Sequence, residues 1–305
     1  MPESRIFSDT FLALGAPCDV VLPQVDAVFA KKVFLKVKTE IEQLENNISH
    51  FSTLSAIWNV NSSPKNKWIS VSSETWEILM ICKDFYEMSN GAFDITTAPL
   101  LTLWKENESP TDEEIENARN KCGFDKLELD DENKKIRFTV EGMELDFSSI
   151  EKGYALDIVK PILTDMGVQN AIINFQEEAV LALGNHPGGE VWPLGIRNQR
   201  NPREFNHVFP TSNQAVITAG TIFIRDDGEG IQKRQIISPA TGLLIEGDRT
   251  VSVKSDSATM GEFIAHIWLI LPENDKEILA ENFENIEILE VDYLDDDIRT
   301  KLSIL

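Results

Sequence analysis

The chain has 305 residues, 42% of them hydrophobic, and its 28 Lys and Arg stand against 51 Asp and Glu, a formal net charge of −23. Such an excess repels a nucleic-acid backbone and an anionic membrane surface, yet tolerates a local anion site built from amides, a metal or one lysine. Three cysteines, Cys18, Cys82 and Cys122, without CxxC spacing suggest neither a disulfide framework nor a zinc site, and no run reaches the ~18 apolar residues that a membrane span needs.

The first 23 residues lack the pattern of a signal peptide, because Ser8, Asp9, Gly15 and Asp19 interrupt the apolar runs; the expected location is cytoplasmic. Apolar residues at three- and four-residue steps predict a helix over 28–48, with Val33, Val37, Ile41, Leu44 and Ile48 on one face. The polar, turn-rich stretch 52–70 reads as an irregular loop. A second helix is expected from Ser73, as its cap, to the stop at Asn90-Gly91. The acidic run 111–120 reads as a short solvated helix, and 126–129 with 135–140 as a hairpin. A helix over 152–166 ends at Gly167 and leads into the apolar strand 171–175. Short strands follow at 180–183, 192–196, 216–218, 235–237 and 251–253, and a nearly apolar helix, expected to be buried, runs from Ser257 to the stop at Pro272. The acidic tail holds a small helix and the strand IEILEV. Strands and helices are thus mixed, with polar stretches 105–125 and 198–213 as soft subdivisions and no internal repeat.

Several segments combine residues that suit a site. In SNGAFDITTAPLLTLW, 89–104, Asp94 and Thr96 alternate with Phe93 and Ile95, which sends the polar groups to one face; alone, this reads as a turn-capping aspartate and a strand threonine. In LDFSSIEKGYALDIV, 145–159, Lys152 and Gly153 open a helix, where the helix start and an ammonium both favour anions; a lone pair of this kind is otherwise a solvated lysine. MGVQNAIINFQEEAVLALG, 166–184, and QIISPATG, 235–242, supply turns. In SATMGEFIAHIWL, 257–269, the four-residue spacing puts Glu262 and His266 on one helical face, to converge on an ion or to hydrogen-bond each other.

In this order the segments resemble the FAD:protein FMN transferases, the ApbE-type flavin transferases. The first matches the family's Gly-Ala-Phe-Asp-x-Thr-x-x-Pro-Leu and Leu-Trp throughout. The second matches at Asp146, Ile150, Lys152, Gly153, Tyr154 and Asp157, with Ser148 and Ser149 replacing a glycine-rich pair. Asn174 fits the third, where Gln176 and Glu177 replace two glycines, and WPLGI and VITAGT, through Thr218, Ala219 and Gly220, follow the family's next strand and turn. In the fourth, Pro239, Thr241 and Gly242 match, whereas Gln235 stands for the family's histidine base and Ser238 for its aspartate. Glutamine cannot take a proton at neutral pH. In the fifth, Glu262 and His266 stand for the Asp and Thr that bind magnesium in the family, and imidazole suits zinc or manganese better than magnesium.

The resemblance implies an α+β, ApbE-like (T-fold-related) fold of mixed strands and packed helices in a layered core, over a single region 1–305. It implies FAD as ligand, held by Asp94, Thr96, Lys152, Asn174, Gln176, Glu177, Thr218 and Thr241. A divalent metal, magnesium in the family, would be held by Glu151, Glu262 and His266. The family reaction passes FMN from FAD to a Thr or Ser of an acceptor flavoprotein and releases AMP. With Gln235 at the base position, three readings stand: an altered transferase, a non-catalytic flavin-binding or scaffold protein, and a metal-dependent FAD pyrophosphatase.

Overall fold

The computed structural model describes residues 6–50, 52–224, 230–295 and 297–305. Within them the strands are β1 (Ile6–Ala13), β2 (Ala16–Pro23), β3 (Ile69–Ser70), β4 (Leu127–Asp130), β5 (Lys135–Phe138), β6 (Ala171–Phe175), β7 (Ala179–Leu183), β8 (Trp192–Arg197), β9 (Phe205–Thr211), β10 (Gln214–Gly220), β11 (Ile222–Ile224), β12 (Ile231–Lys233), β13 (Arg249–Ser255), β14 (Glu287–Tyr293) and β15 (Ile298–Ile304). The helices are α1 (Ala27–Ile48), α2 (Ala56–Asn61), α3 (Ser73–Met88), α4 (Ala98–Glu106), α5 (Asp112–Arg119), α6 (Glu151–Asp165), α7 (Ala258–Ile270) and α8 (Glu273–Ala280).

The main sheet has the order β1-β2-β6-β7-β10-β13-β14-β15, and every neighbouring pair is antiparallel. Its central strands are covered on both faces, which explains their continuous apolar sequences. Along β10, Ala215, Ile217 and Ala219 join the core under the helices, while Val216 points the other way to Ile196, Phe209, Leu289 and Val291. Helix α7 lies across β10 and β13 and against α6, which packs in turn on α1. Asp26 caps α1 by accepting from the Val28 and Phe29 amides at 3.0 Å each, and the predicted apolar stripe of α1 is buried. The α+β layered arrangement follows the expectation.

Departures are local. The stretch 52–70 contains α2, capped by Ser55, and β3. Helix α3 is capped by Ser72, one residue before the expected Ser73. Residues 235–237 form no strand; only an isolated bridge joins Ile237 to Leu244, because the neighbouring Pro239 to Gly242 close a turn through the Gly242 amide and Ser238 carbonyl at 2.7 Å. The soft stretches 105–125 and 198–213 hold α5 and β9. Phe93 to Thr96 lie in turns, not on a strand, and all four are buried.

Candidate functional site

The first segment is fixed by packing. Gly91 takes φ 81° and ends α3 through its amide on the Tyr86 carbonyl at 2.8 Å. Phe93 then packs edge-on to Phe263 of α7 at 5.5 Å between centroids, with Phe85 stacked on the same ring at 4.1 Å. This seats Asp94 beside α7. Its Oδ1 accepts from the Thr96 amide at 2.8 Å and hydroxyl at 2.7 Å, and Thr96 Oγ1 accepts from the Gly123 amide at 2.6 Å. Burial pushes Asp94 up to about 6, against the two Thr96 bonds.

Backbone links draw the other segments in. The Asp146 amide donates to the Ile95 carbonyl at 2.8 Å. The Trp104 indole donates to the Gly242 carbonyl at 2.8 Å, and the Gln235 amide side chain to the Trp104 carbonyl at 3.0 Å. A cavity of about 100 Å³ results, lined by Phe93, Asp94, Asp146, Ser149, Gln235 and His266, from four of the five segments. It shares Gln235, Ile236 and Ile270 with a larger cavity of about 1140 Å³ that Trp104, Arg234, Thr241 and Gly247 bound.

Asn174, Gln176, Glu177 and Thr218 line a third cavity of about 570 Å³, with Asp19 and Arg197. Gln176 and Glu177 keep left-handed backbone, φ 48° and 63°, where glycine is the usual residue. Glu177 binds Arg197 through both carboxylate oxygens at 2.6 and 3.0 Å, and its amide donates to Asn174 Oδ1 at 2.8 Å. Thr218 shares a hydrogen bond with Ser252 at 2.8 Å, and Thr241 caps its own turn through the Leu243 amide at 3.2 Å. A further cavity of about 790 Å³ between α3, α6 and the start of α7 holds none of the expected site residues.

Thr96, Glu151, Lys152 and Glu262 line none of these cavities. Three of them belong to a buried charge cluster. Lys152 Nζ lies 2.6 Å from Glu178 Oε2, and Arg234 pairs with Glu178 Oε1 while its guanidinium lies 4.2 Å over the Phe223 ring. Burial opposes ionisation of Glu178, yet bonds and charge from Arg234 and Lys152 hold it below the usual carboxylate range. Glu262 Oε2 accepts from the Gly153 amide at 2.6 Å, and burial pushes Glu262 up to about 7 and Glu151 up to about 8. His266 Nδ1 donates to the Glu262 carbonyl at 3.2 Å; a carbonyl only accepts, so this nitrogen carries the proton. Burial pushes His266 down to about 4, leaving it neutral at pH 7.

Magnesium asks for several oxygen ligands in near-octahedral array. Here the Glu262 carboxylate is spent on Gly153 in a contact so close that a Cβ there would lie 2.4 Å from the Ala258 carbonyl oxygen. His266 has only Nδ1 engaged and keeps Nε2 as a nitrogen donor on the lining of the small cavity, a donor type that magnesium does not favour, and among the described residues no three His, Cys, Asp or Glu side chains group as metal ligands. The donor set does not fit magnesium.

The sequence shows Glu178 only as a negative charge beside Glu177, near where a pyrophosphate would lie, and gives no role to Arg234; the two form the centre of the cluster. Arg234 directly precedes Gln235 and Glu178 directly follows Glu177, but nothing in the order of residues pairs positions 56 apart.

The sequence profile of the ApbE family matches residues 14–289. The chain is 28% identical over 253 residues to an FAD:protein FMN transferase of Chlamydia muridarum (strain MoPn / Nigg), covering 80% of this chain and 76% of that one. It is 24% identical over 278 residues to one of Klebsiella pneumoniae (strain 342), covering 89% and 83%. Among solved structures, the flavin transferase ApbE from Vibrio cholerae superposes with a TM-score of 0.83 over 98% of this chain and 97% of that one, at 21% identity, a likeness of fold. Among the described residues no helix is long and apolar enough to cross a membrane.

Proposed function

The chain belongs to the ApbE family, and from that membership we propose that it binds FAD and that FMN transfer to an acceptor flavoprotein is impaired in it. The relatives' name supplies the ligand. The observation that carries the impairment is Gln235: an amide already engaged with the Trp104 carbonyl stands at the family's base position, and glutamine does not accept a hydroxyl proton at neutral pH. The two adjoining cavities lined by Asp94, Gln235, His266, Arg234 and Thr241 are the proposed flavin site, and the larger one, at about 1140 Å³, is roomy enough for a ligand larger than drug-sized. In this reading Asp94 and Thr96 hold the turn that shapes the small cavity, Lys152 acts through Glu178, and Asn174, Gln176, Glu177 and Thr218 bound a separate recess. The whole chain acts as one unit, and the three buried free thiols favour a reducing, cytoplasmic setting.

FAD titration of the purified chain, followed by incubation with FAD, an acceptor domain and each of Mg²⁺, Mn²⁺ and Zn²⁺, tests this. Bound FAD without covalent flavin on the acceptor is expected. Covalent flavin overturns the impairment, AMP release without it favours a pyrophosphatase, and no FAD binding up to high micromolar concentration overturns the flavin reading.

A further inference from the structure

We infer that the pyrophosphate of the bound dinucleotide is neutralised by Arg234 in the larger cavity, without a divalent cation. The inference rests on the FAD-binding reading above and adds how the phosphates are held.

Two cations, Lys152 and Arg234, converge on one carboxylate, Glu178. One of them is therefore surplus to its neutralisation. Glu178 and Lys152 are the buried members, with side chains 9% and 14% exposed, whereas the Arg234 side chain is 36% exposed and lines the larger cavity. If Arg234 turns to a ligand, Glu178 keeps Lys152 at 2.6 Å and is not itself left as an unpaired buried charge. A lone buried pair could not release its cation so readily.

The guanidinium is also prepared for the task. Its plane is held 4.2 Å over Phe223, and a planar fork of N–H donors matches phosphate oxygens two at a time. Charge separates this cavity from the others. Three cations and three carboxylates line it, a balanced set in a chain of net charge −23. The small cavity carries Asp94 and Asp146 with a neutral His266, the recess at Gln176 carries two carboxylates against Arg197, and the hollow by α3 carries five carboxylates and no Lys or Arg. A doubly charged pyrophosphate meets net repulsion in each of those. Meanwhile, of the groups that stand at the family's metal positions, Glu262 is bonded to the Gly153 amide and His266 offers the small cavity only an imidazole nitrogen, a poor ligand for magnesium.

The test is binding to the full chain, with no catalytic readout. FAD, inorganic pyrophosphate and riboflavin are titrated in EDTA and again with excess Mg²⁺ or Mn²⁺. FAD affinity is expected to agree within about twofold between the two conditions, and pyrophosphate to compete with FAD. Arg234→Met is expected to weaken FAD about tenfold or more and to abolish competition by pyrophosphate, while riboflavin, which has no phosphate, binds it as it binds the unaltered chain. Arg234→Lys, which keeps the charge and loses the fork, falls between and covers a folding failure of the methionine variant. FAD binding that strengthens tenfold or more with metal, or that is equal in Arg234→Met and the unaltered chain, overturns the inference and leaves the flavin reading standing. FAD binding under no condition overturns both.

Discussion

At the scale of single residues, the most informative change is one the backbone did not follow. Gln176 and Glu177 hold φ of 48° and 63° at positions where the family pattern has glycine. Left-handed backbone costs a residue with a Cβ about 1–2 kcal/mol, and glycine returns about 0.5–1 kcal/mol of that in chain entropy. Relief of that strain favours glycine at either position and is offset by whatever the replaced side chain holds. Glu177→Gly comes out near neutral, because it also removes the exposed pair with Arg197, worth about 0.2–1 kcal/mol. Glu262 supplies a second test. Its folded value of about 7 lies above the ordinary glutamate value of 4.5, so its contribution is complete below the unfolded value and is lost as pH rises through 7. Glu151, at about 8, acts in the same direction. His266 and Glu178, both lowered, act oppositely, but their contributions are complete by about pH 6.5. Stability should then fall from pH 6.5 to 8.5, and Glu262→Gln, which can still accept from Gly153, should reduce that fall by about 1 kcal/mol. An unchanged pH profile in the variant would mean that Glu262 titrates normally. The replaced residues, Gln235 and Gln176 among them, were legible in the sequence because they interrupt a pattern. Their consequences were not, since the partner that fixes Gln235 is Trp104 and the one that fixes Glu177 is Arg197, both on other elements.

Among elements, the contact between α6 and α7 positions the site and is the most sensitive to change. A Cβ on Gly153 would lie 2.4 Å from the Ala258 carbonyl oxygen, 2.7 Å from its carbon and 2.9 Å from Glu262 Oε2. Two of these are backbone atoms that cannot step aside without parting the helices, so Gly153→Ala should cost about 1–3 kcal/mol, visible as a lower denaturant midpoint. Asp157, matched in the sequence but given no role there, is the latch of the same contact. It accepts from the Ser257 hydroxyl at 2.6 Å, the Ala258 amide at 2.9 Å, and the Thr259 amide and hydroxyl at 2.9 and 2.7 Å. Asp157→Ala is expected to lose about 2–3 kcal/mol, since it strips the first turn of α7 of a charged acceptor. A loss confined to a few tenths would show that Ser257, which still receives the Met260 amide at 3.2 Å, caps the helix alone. Buried elements were the readable ones: α1, α6, α7 and the central strands have continuous or periodic apolar sequences because both or one of their faces are covered. The edge strands β1, β9 and β15 escaped, as their outward residues, Ile6, Leu12, Phe205 and Ile304 among them, are exposed and break the alternation; the buried β2 escaped too, with Pro17 and Asp19 interrupting its apolar run.

Over the whole molecule, the charge that argued against nucleic acid also acts on the fold itself. Most of the ion pairs join at least one exposed partner, such as Lys36–Glu40, Lys83–Glu87 and Lys301–Glu273, and such pairs contribute little. The repulsion among the remaining carboxylates acts over longer distances, and it is the part that salt removes most completely, because the Debye length shrinks to about 10 Å at 0.1 M. The buried cluster of Lys152, Glu178 and Arg234 is screened far less, so its contribution persists. Salt should therefore relieve more repulsion than attraction. Raising NaCl from a few millimolar to about 0.15 M is expected to raise Tm by a few degrees, measured by circular dichroism at fixed pH and protein concentration. A Tm that falls instead would mean that the surface pairs, and not the excess of 51 acidic over 28 basic residues, set the electrostatic balance of the fold.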